Sequence, residues 1–507
     1  MALAEPGAAS SPLARLRLTN PLVLSAIILA IAPFWQLRFG VNGDASWIIT
    51  MCERVLAGDR LYVDLIETNP PFTIWMFMPA VLLARMLGVS PEFMMHLYAY
   101  VACIGGLAFA GAIVRRANLP ERDGLFAILP VMVGLLVLFP GNSFAEREHL
   151  GIALLLPLLA LMAWRTTDPS ARPGIGWSLP AGLLGSVIVL IKPYYVLMIL
   201  VPAVWSAWRR RSLAGLFEPE YWAAGLACLV YLFAVLTLHP EFMADVYPLL
   251  RDTYMRTSRP LFVLQIYGPT IAIIGYLIYR YRAGTASSLV ALAILAGAAG
   301  LVPLVYQGKG WAYHAYPSLF LLLTTLTYLF RQAISCSEKS KPGLVGILLM
   351  VVTFVVASVP FQVMYRADEN MLETVRASAP DNPGVALIGA GIEAGHPFTR
   401  LVGGHWIGSY CSDWLGGFAS AWKAIDESNG RTELLARYDQ IVETFATRKL
   451  QELKAGNPDI LLVQKEDSFW TEPFLKRPEM AGFMDRYDLL AEDYGVWVYR
   501  LKPQFRG

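Results

Sequence analysis

The sequence is poor in charge. Only 16% of its 507 residues are Asp, Glu, Lys or Arg, against 56% hydrophobic, where a soluble protein carries about 25% charged residues. That deficit points to a chain that lives in a membrane. The net charge is only +2 and there is no basic tail, so nothing supports nucleic-acid binding. Cysteine is scarce and scattered at Cys52, Cys103, Cys228, Cys336 and Cys411. With no CxxC and no pairing pattern, neither a disulfide framework nor a zinc site is indicated. A Walker loop, a GxSxG elbow and an HExxH pair are all missing, which leaves ATP-driven transport, serine hydrolysis and zinc proteolysis without support. No internal repeat and no low-complexity segment stands out.

What is there is a series of long apolar runs. A bilayer crossing needs roughly 20 mostly apolar residues, fewer where the membrane thins. Candidate crossings are 21–39, 93–114, 124–140, 150–164, 178–191, 194–208, 221–239, 261–279, 286–306, 313–330 and 343–361. The pair 178–191 and 194–208 is split by Lys192-Pro193, and a single long crossing is the competing reading. The leader MALAEPGAASSPLARLRLTN precedes an apolar run too long for a signal-peptide core and without a small-residue cleavage site, so a retained first helix is expected.

The run 71–88, PFTIWMFMPAVLLARMLG, decides the topology. If it spans, eight Lys and Arg of the short loops fall inside and sixteen outside; if it stays at the interface, fifteen fall inside and nine outside. The positive-inside rule favours the second arrangement, and Pro79 and Arg85 suit an interfacial helix. Five regions then share the outer side: 40–71, 141–149, the Lys192 corner, 240–260 and 307–314. The segment after 361 joins them. Its composition changes: VALIGAG (385–391), DILLVQ (459–464) and GVWVYRL (495–501) read as strands, and RTELLARYDQIVETFATRKLQELKAG as a helix. The expected organisation is a membrane domain over 1–366 and a small α/β domain over 367–507.

The outer regions hold the residues able to carry chemistry. The stretch 39–71 contains Asp44, Glu53, Asp59, Asp64 and Glu67. A carboxylate beside hydrocarbon has a raised pKa unless a cation is close, which suits Asp44 to act as a general base; the structural alternative is an N-cap for the helix that follows. Glu67, in ETNPP, is the second acid of interest or a solvated loop residue. Arg147 and His149 sit in AEREH at a membrane edge, where a loop Glu–Arg pair is the plainer account. Lys192 costs free energy unless it pairs or reaches water. Lys309, Tyr313 and His314 lie in QGKGWAYH, where a polar cap with an aromatic belt would look the same. Arg251, Arg256 and Arg259 break the positive-inside bias on an outer loop, as an anionic partner would explain. Asp64 is carried with the candidates, though Asp64, Glu53 and Asp59 read most simply as solvated acids. Together the set places one or two acids opposite several cations at one membrane boundary. That arrangement suits a phosphate leaving group held by Lys and Arg while a carboxylate activates a hydroxyl.

These motifs resemble the GT-C superfamily of polytopic glycosyltransferases, and most of all the lipid A aminoarabinose transferases and protein O-mannosyltransferases. The likeness lies in GDASW at the end of the first crossing, LAGDRLYVDL, ETNPPFTIW, GSVIVLIKPYY and KGWAYHAYP, in that order and on one side, over most of residues 1–330. The sequence departs from the family at Ala45, where an acid often follows the catalytic Asp, and at Thr68, where aminoarabinose transferases place a Lys.

The resemblance implies about 11 transmembrane helices plus interfacial juxtamembrane helices in a bacterial inner membrane, with the site and the C-terminal domain facing the periplasm. It implies inverting transfer of a sugar from a polyprenyl-phosphate carrier to a glycan, lipid or protein acceptor. Asp44 would be the base, Glu67 would orient the acceptor or assist Asp44, and Lys192, Arg147, Lys309 and the arginines 251, 256 and 259 would be the phosphate-binding set. A divalent cation is compatible but not demanded. The rival readings are a lipid-linked sugar transporter or flippase, which would carry midplane charges and often inverted repeats, and a non-catalytic membrane scaffold.

Overall fold

The computed structural model describes residues 19–282, 287–335, 342–364, 368–465, 467–493 and 495–506. The leader with Arg15 and Arg17, the loop residues Lys339 and Lys341, and the expected domain boundary at 366/367 lie outside them.

The first part of the chain is helical throughout. Its helices are α1 (Pro21–Gln36), α2 (Gly43–Ala57), α3 (Phe72–Leu87), α4 (Pro91–Arg116), α5 (Arg122–Ala127), α6 (Leu129–Val137), α7 (Arg147–Thr167), α8 (Ile175–Ile191), α9 (Leu197–Arg209), α10 (Pro219–Leu238), α11 (Tyr247–Asp252), α12 (Pro260–Tyr281), α13 (Ser288–Gln307), α14 (Ala312–Ser335) and α15 (Leu344–Ser358). Among the described residues seven segments are long and apolar enough to cross a membrane: α4, α7, α10, α12, α13, α14 and the stretch Leu344–Phe361. Shorter apolar helices α1, α3 and α8 accompany them. The helix α7 is enclosed by its neighbours, whereas α10 and the 344–361 helix present mostly apolar side chains outward, as lipid-facing helices do.

Two sequence expectations are refined. The run 124–140 is broken at Ile128 into α5 and α6, with Pro130 in the first turn of the second piece, a position proline tolerates. The single long crossing over 178–208 is not formed. The chain breaks at Lys192, which is extended (φ −150°, ψ 114°) ahead of Pro193, because the residue before a proline is driven out of the helical region.

The helices alternate in direction, so their ends collect at two faces. At one face Arg165, near the end of α7, bonds Glu218 (2.9 Å) and Glu220 (2.7 Å) at the head of α10, and Arg210 after α9 bonds Glu218 (2.8 Å). At the other face the ends of α1 and α6 meet through Gln36 Nε2 to Val137 O (2.8 Å). The helix α3 does not change faces. It starts beside the end of α10, with Trp75 packed on His239, and five residues after it ends, Glu92 at the head of α4 is bonded by Arg400 of the C-terminal domain. The interfacial placement inferred from loop charges agrees with this course.

The C-terminal part carries a five-stranded sheet of order β2-β1-β3-β5-β4, with β1 (Gly384–Ile388), β2 (His405–Trp406), β3 (Ile460–Gln464), β4 (Tyr487–Asp493) and β5 (Val496–Leu501). The strands β2, β1 and β3 are parallel, while β5 and β4 are antiparallel additions. The helices are α16 (Glu369–Ser378), α17 (Ile392–Gly395), α18 (Phe398–Leu401), α19 (Trp414–Ser428) and α20 (Leu435–Gly456), followed by two short ones. Every residue of β1 is buried, as expected for a strand covered on both faces. The sequence pattern locates β1, β3, β5 and α20. It does not show β2, which is two residues long, or β4, whose YDLLAED lacks a clean alternation.

Candidate functional site

The site begins at the N-terminus of α2. Asn42 caps this helix, its Oδ1 accepting the Ala45 N–H at 2.7 Å. Its Nδ2 donates to Glu146 Oε1 (2.8 Å) and to Asn142 O (2.7 Å), which ties α2 to the loop before α7. Capping is therefore done two residues before Asp44, and Asp44 is not the cap. Its carboxylate has Arg147 Nη2 at 3.9 Å, and 34% of its side chain is open. The rest of its surroundings is protein. Burial pushes the carboxyl above its usual range, and the Arg147 guanidinium pulls it back only in part.

Arg147 is 3% exposed, and its Nε has no hydrogen-bond partner. The nearest acids, Asp44 at 3.9 Å and Glu146 at 3.8 Å, are beyond good hydrogen-bond distance. A buried guanidinium in this state keeps an unspent Nε donor close to both carboxylates. Burial, with the Asp44 charge adding to it, pushes Glu146 up to about 8. Beneath them Lys192 donates to Glu148 Oε1 at 2.6 Å and lies 2.7 Å from His314 Nε2. All three side chains are buried, so Glu148 supplies the counter-charge without which a lysine at this depth would be costly.

The second cation is Lys309. Gly308 and Gly310 flank it with φ of 60° and 79°, and a Cβ on Gly308 would stand 2.3 Å from the Arg259 backbone nitrogen. Glycine is required on both sides of Lys309 for the loop to close this way. Lys309 donates to Tyr254 O at 2.5 Å and to the Thr257 hydroxyl, and lies 4.0 Å over the Tyr254 ring. No carboxylate pairs with it among the described residues. Burial, with repulsion from Lys192, lowers its ammonium to about 8. The phenols of Tyr254 and Tyr313 both feel the charges of Asp44 and Arg147, and Lys192 stands 5.3 Å over the Tyr313 ring.

The other candidates are placed differently. Four donors converge on the buried Glu67 carboxylate: Trp47 Nε1 (2.8 Å), the Thr68 hydroxyl (3.0 Å), and Asn69 N (3.0 Å) and Nδ2 (2.6 Å). His149 turns into the helical core, with Nδ1 accepting from Ala145 N (3.1 Å) and Nε2 facing Leu136 O (2.7 Å). Arg256 is held bidentate by Asp426 of α19 (2.8 and 3.2 Å), and Arg251 is an exposed partner of Asp252. Arg259 is exposed and caps no carboxylate; its backbone N–H meets Gly308 O. Asp64 accepts the Arg60 backbone N–H (2.9 Å) and pairs with its guanidinium on the exposed loop, which lowers its carboxyl. Asp44, Arg147, Lys192, Lys309, Tyr313 and His314 are thus brought together, with Glu67 behind Trp47. His149, Arg251, Arg256 and Asp64 are engaged elsewhere.

The C-terminal domain closes the recess. A Cβ on Gly43 would lie 3.0 Å from His396 O and 3.6 Å from Ile392 Cγ2, a tight contact that any larger side chain would have to push back. Trp47 packs on the His396 ring at 5.2 Å. Arg400 bonds Glu53 (2.5 Å) and Glu92, Arg54 donates to Gly408 O (2.5 Å), Arg448 to Val63 O (3.0 Å), and Trp422 to Thr253 O (3.1 Å). Glu393 and Cys411 come from this domain, and both feel the Asp44 charge. Sequence reasoning missed Asn42, Glu146, Glu148, Tyr254 and Glu393. Two of them had a signal: AEREH flanks Arg147 with acids, and a buried lysine demands one. Among the described residues no group of three or more His, Cys, Asp or Glu is arranged to hold a metal ion.

These observations define a multi-pass membrane protein whose carboxylate–cation site lies at one membrane face under a small α/β domain. Its fold is that of ArnT from Cupriavidus metallidurans, solved bound to undecaprenyl phosphate, with a TM-score of 0.55 over 96% of this chain and 98% of that one at 12% identity. An oligosaccharyltransferase from Archaeoglobus fulgidus, solved with Zn and sulfate, aligns with a TM-score of 0.47 over 95% of this chain and 73% of that one, also at 12% identity. No family model matches the sequence, and no curated protein matches it. This ArnT-like fold agrees with the architecture that the sequence motifs imply.

Proposed function

We propose that the protein transfers a sugar, with inversion, from a polyprenyl-phosphate carrier to an acceptor hydroxyl at the periplasmic face of a bacterial inner membrane. The observation that carries this reading is the pairing of an uncapping, half-open Asp44 with a buried Arg147 whose donors are unspent. Asp44 removes the proton of the acceptor hydroxyl as its oxygen attacks the anomeric carbon. The bond from that carbon to the phosphate oxygen breaks, and polyprenyl phosphate leaves with the electron pair. Arg147 and Lys309 hold the phosphate, where fixed cations in a partly dry site are worth more than in water. Lys192 is matched by Glu148 and sets the potential beneath the phosphate, with His314 and Tyr313 fixing its head. Glu67 holds the Trp47 indole behind Asp44 and so steadies the base.

The ArnT fold, seen with undecaprenyl phosphate in that protein, supports a polyprenyl-phosphate donor here, and the loop-charge asymmetry supports the periplasmic side. The test is transfer from a panel of polyprenyl-phosphate sugars by purified protein. Wild type is expected to transfer at least one sugar and Asp44→Asn none, with the fold intact; full activity in Asp44→Asn would remove Asp44 as the base.

A further inference from the structure

A cavity of about 700 Å³ lies among the helices well away from Asp44, within the range of roughly 300–1,000 Å³ usual for ligand pockets. Its walls come from α1, α4, α5, α6, α7, α13 and α14 and are mostly aliphatic, Leu29, Leu107, Met132, Leu159 and Leu321 among them. The helix α14 fixes its place. His314, in the site, stands near the start of this helix, and Tyr328, in the cavity wall, comes fourteen residues later, about 21 Å along the axis. The helices α4 and α13 agree. Glu92 begins α4 beside the C-terminal domain and the wall residue Arg115 is near its end, while the wall residue Val290 is near the start of α13 and Lys309 follows that helix in the site. The cavity therefore belongs to the membrane face opposite the Asp44 recess. From Arg115 it reaches back along α4 to Ile104, about 16 Å, close to half of the roughly 30 Å hydrocarbon thickness. That is the depth of one leaflet.

The charged wall residues gather at the outer end of this space, as Arg115, Glu121, Arg122 and Asp123. Glu121 is 1% exposed. Its Oε1 accepts from the Ser287 hydroxyl, and its Oε2 has no hydrogen-bond partner among the described residues. Ser287 has a single proton to give. Arg122 turns instead to Asp123 (3.0 Å) and Asn118 (3.1 Å). A buried carboxylate oxygen left in this way is costly. Arg115 is exposed and has no carboxylate partner among the described residues. Its Nη1 lies 3.8 Å from where a Cβ on the wall residue Gly111 would stand, so the guanidinium folds back along α4 beside the cavity. Farther in, the buried Thr324 hydroxyl has no partner. Tyr328 accepts from Gln332 Nε2 at 2.6 Å, which leaves its own O–H to donate.

We infer that this cavity binds one phospholipid with a primary-ammonium head group, drawn from the leaflet opposite the Asp44 recess. The ammonium donates to Glu121 Oε2, and the phosphate meets Arg115. The ester carbonyls accept from Thr324 and Tyr328, and an acyl chain covers the aliphatic wall. The head group is decided by Glu121. A quaternary ammonium has no N–H to offer it, and a purely anionic head has no cation for it. The tail of a polyprenyl phosphate reaching this depth would leave both Glu121 and Arg115 unanswered. The inference stands apart from the glycosyl-transfer reading and does not need it.

The test titrates delipidated full-length protein in detergent with phosphatidylethanolamine, phosphatidylcholine and phosphatidylglycerol, and counts bound lipid by native mass spectrometry. Wild type is expected to hold one phosphatidylethanolamine about tenfold more tightly than either of the others. Glu121→Gln, which keeps the shape, should erase the margin over phosphatidylcholine. Ala293→Phe, which fills the cavity from α13, should weaken all three. Wild type that does not favour phosphatidylethanolamine overturns the inference, and this comparison decides even where a variant fails to fold. A margin that survives in folded Glu121→Gln overturns it too. So does displacement of the bound lipid by polyprenyl phosphate, which would give the cavity to the carrier's tail.

Discussion

Asn42 caps the helix that Asp44 would otherwise have had to cap. The Asn42 side chain holds the Ala45 N–H at 2.7 Å and the Glu146 carboxylate at 2.8 Å, so two residues on it leaves an acid with no structural duty. Loss of an N-cap costs about 1 kcal/mol. Asn42→Ala should lower thermal stability by that order and reduce kcat more than KM, because the base moves while the phosphate cations do not. Asn42→Ser, which keeps the cap and loses the tie to Glu146, should recover stability before activity. Chemical or thermal denaturation beside steady-state kinetics reads both.

The pH profile has two limbs with opposite signs. Asp44 must be ionised to act as base, so activity falls as pH drops through its raised pKa. Lys309 must be charged to hold phosphate. Its pKa is lowered to about 8, so its charge is present below that pH and lost above it. Affinity for polyprenyl phosphate should therefore decline as pH passes about 8. Arginine keeps its charge there, and Lys309→Arg should move the alkaline limb upward. Glu146 titrates in the same range. If it set the limb, Glu146→Gln would abolish the limb and Lys309→Arg would leave it unmoved.

Breaking the buried Glu148–Lys192 pair from one side should be severe. Removing one partner of such a pair costs about 3–5 kcal/mol, whereas replacing both with apolar side chains is often neutral. Glu148→Met alone should express poorly or unfold early. The double variant with Lys192→Met should regain stability yet stay inactive. A stable Glu148→Met single variant would show that the pair is not the closed unit its 2.6 Å contact implies.

Arg400 fastens α18 to α2 and α4 through Glu53 and Glu92. Arg400→Ala should leave each part folded while loosening the domain over the recess, seen as faster hydrogen exchange along α17 and α18 and a raised acceptor KM. Unaltered exchange would mean that the Arg54, Arg448 and Trp422 bonds suffice to hold it.

The membrane course has its own check. A cysteine in place of Asn118, after α4, should resist an impermeant reagent applied from the periplasmic side of intact cells. Ready labelling would put the turn after α4 on the same side as the site.

The legible part of this protein was whatever depends on the bilayer. Apolar length gave the helices, and loop charge placed α3, because hydrocarbon penalises every exception to those rules. Asp44, Lys192 and Lys309 were readable for the same reason: each is an ion where ions are costly. Glu148 was harder, since it announces itself only as the answer to Lys192, and their separation in the chain hides the pairing. His149 was misleading. A histidine at a membrane edge reads as a site residue, yet Ala145 N and Leu136 O consume both of its nitrogens. Arg256 drew attention as an outer-loop cation, and only the fold of α19 shows that Asp426 had claimed it.

The contact of Gly43 with Ile392 and His396 also imposes an order of assembly. Asp44 emerges early in synthesis, whereas its covering wall is made far later; Arg54 and Gly408, which bond across the same seam, are 354 residues apart. The bundle can enter the membrane with its base already in place but its roof missing. The recess is completed only when β1 and the loops after it have folded and docked. On the proposed reading, water rather than an acceptor would until then be the nucleophile nearest Asp44. The geometry thus makes a closed recess a property acquired at the end of folding, not one inherited helix by helix.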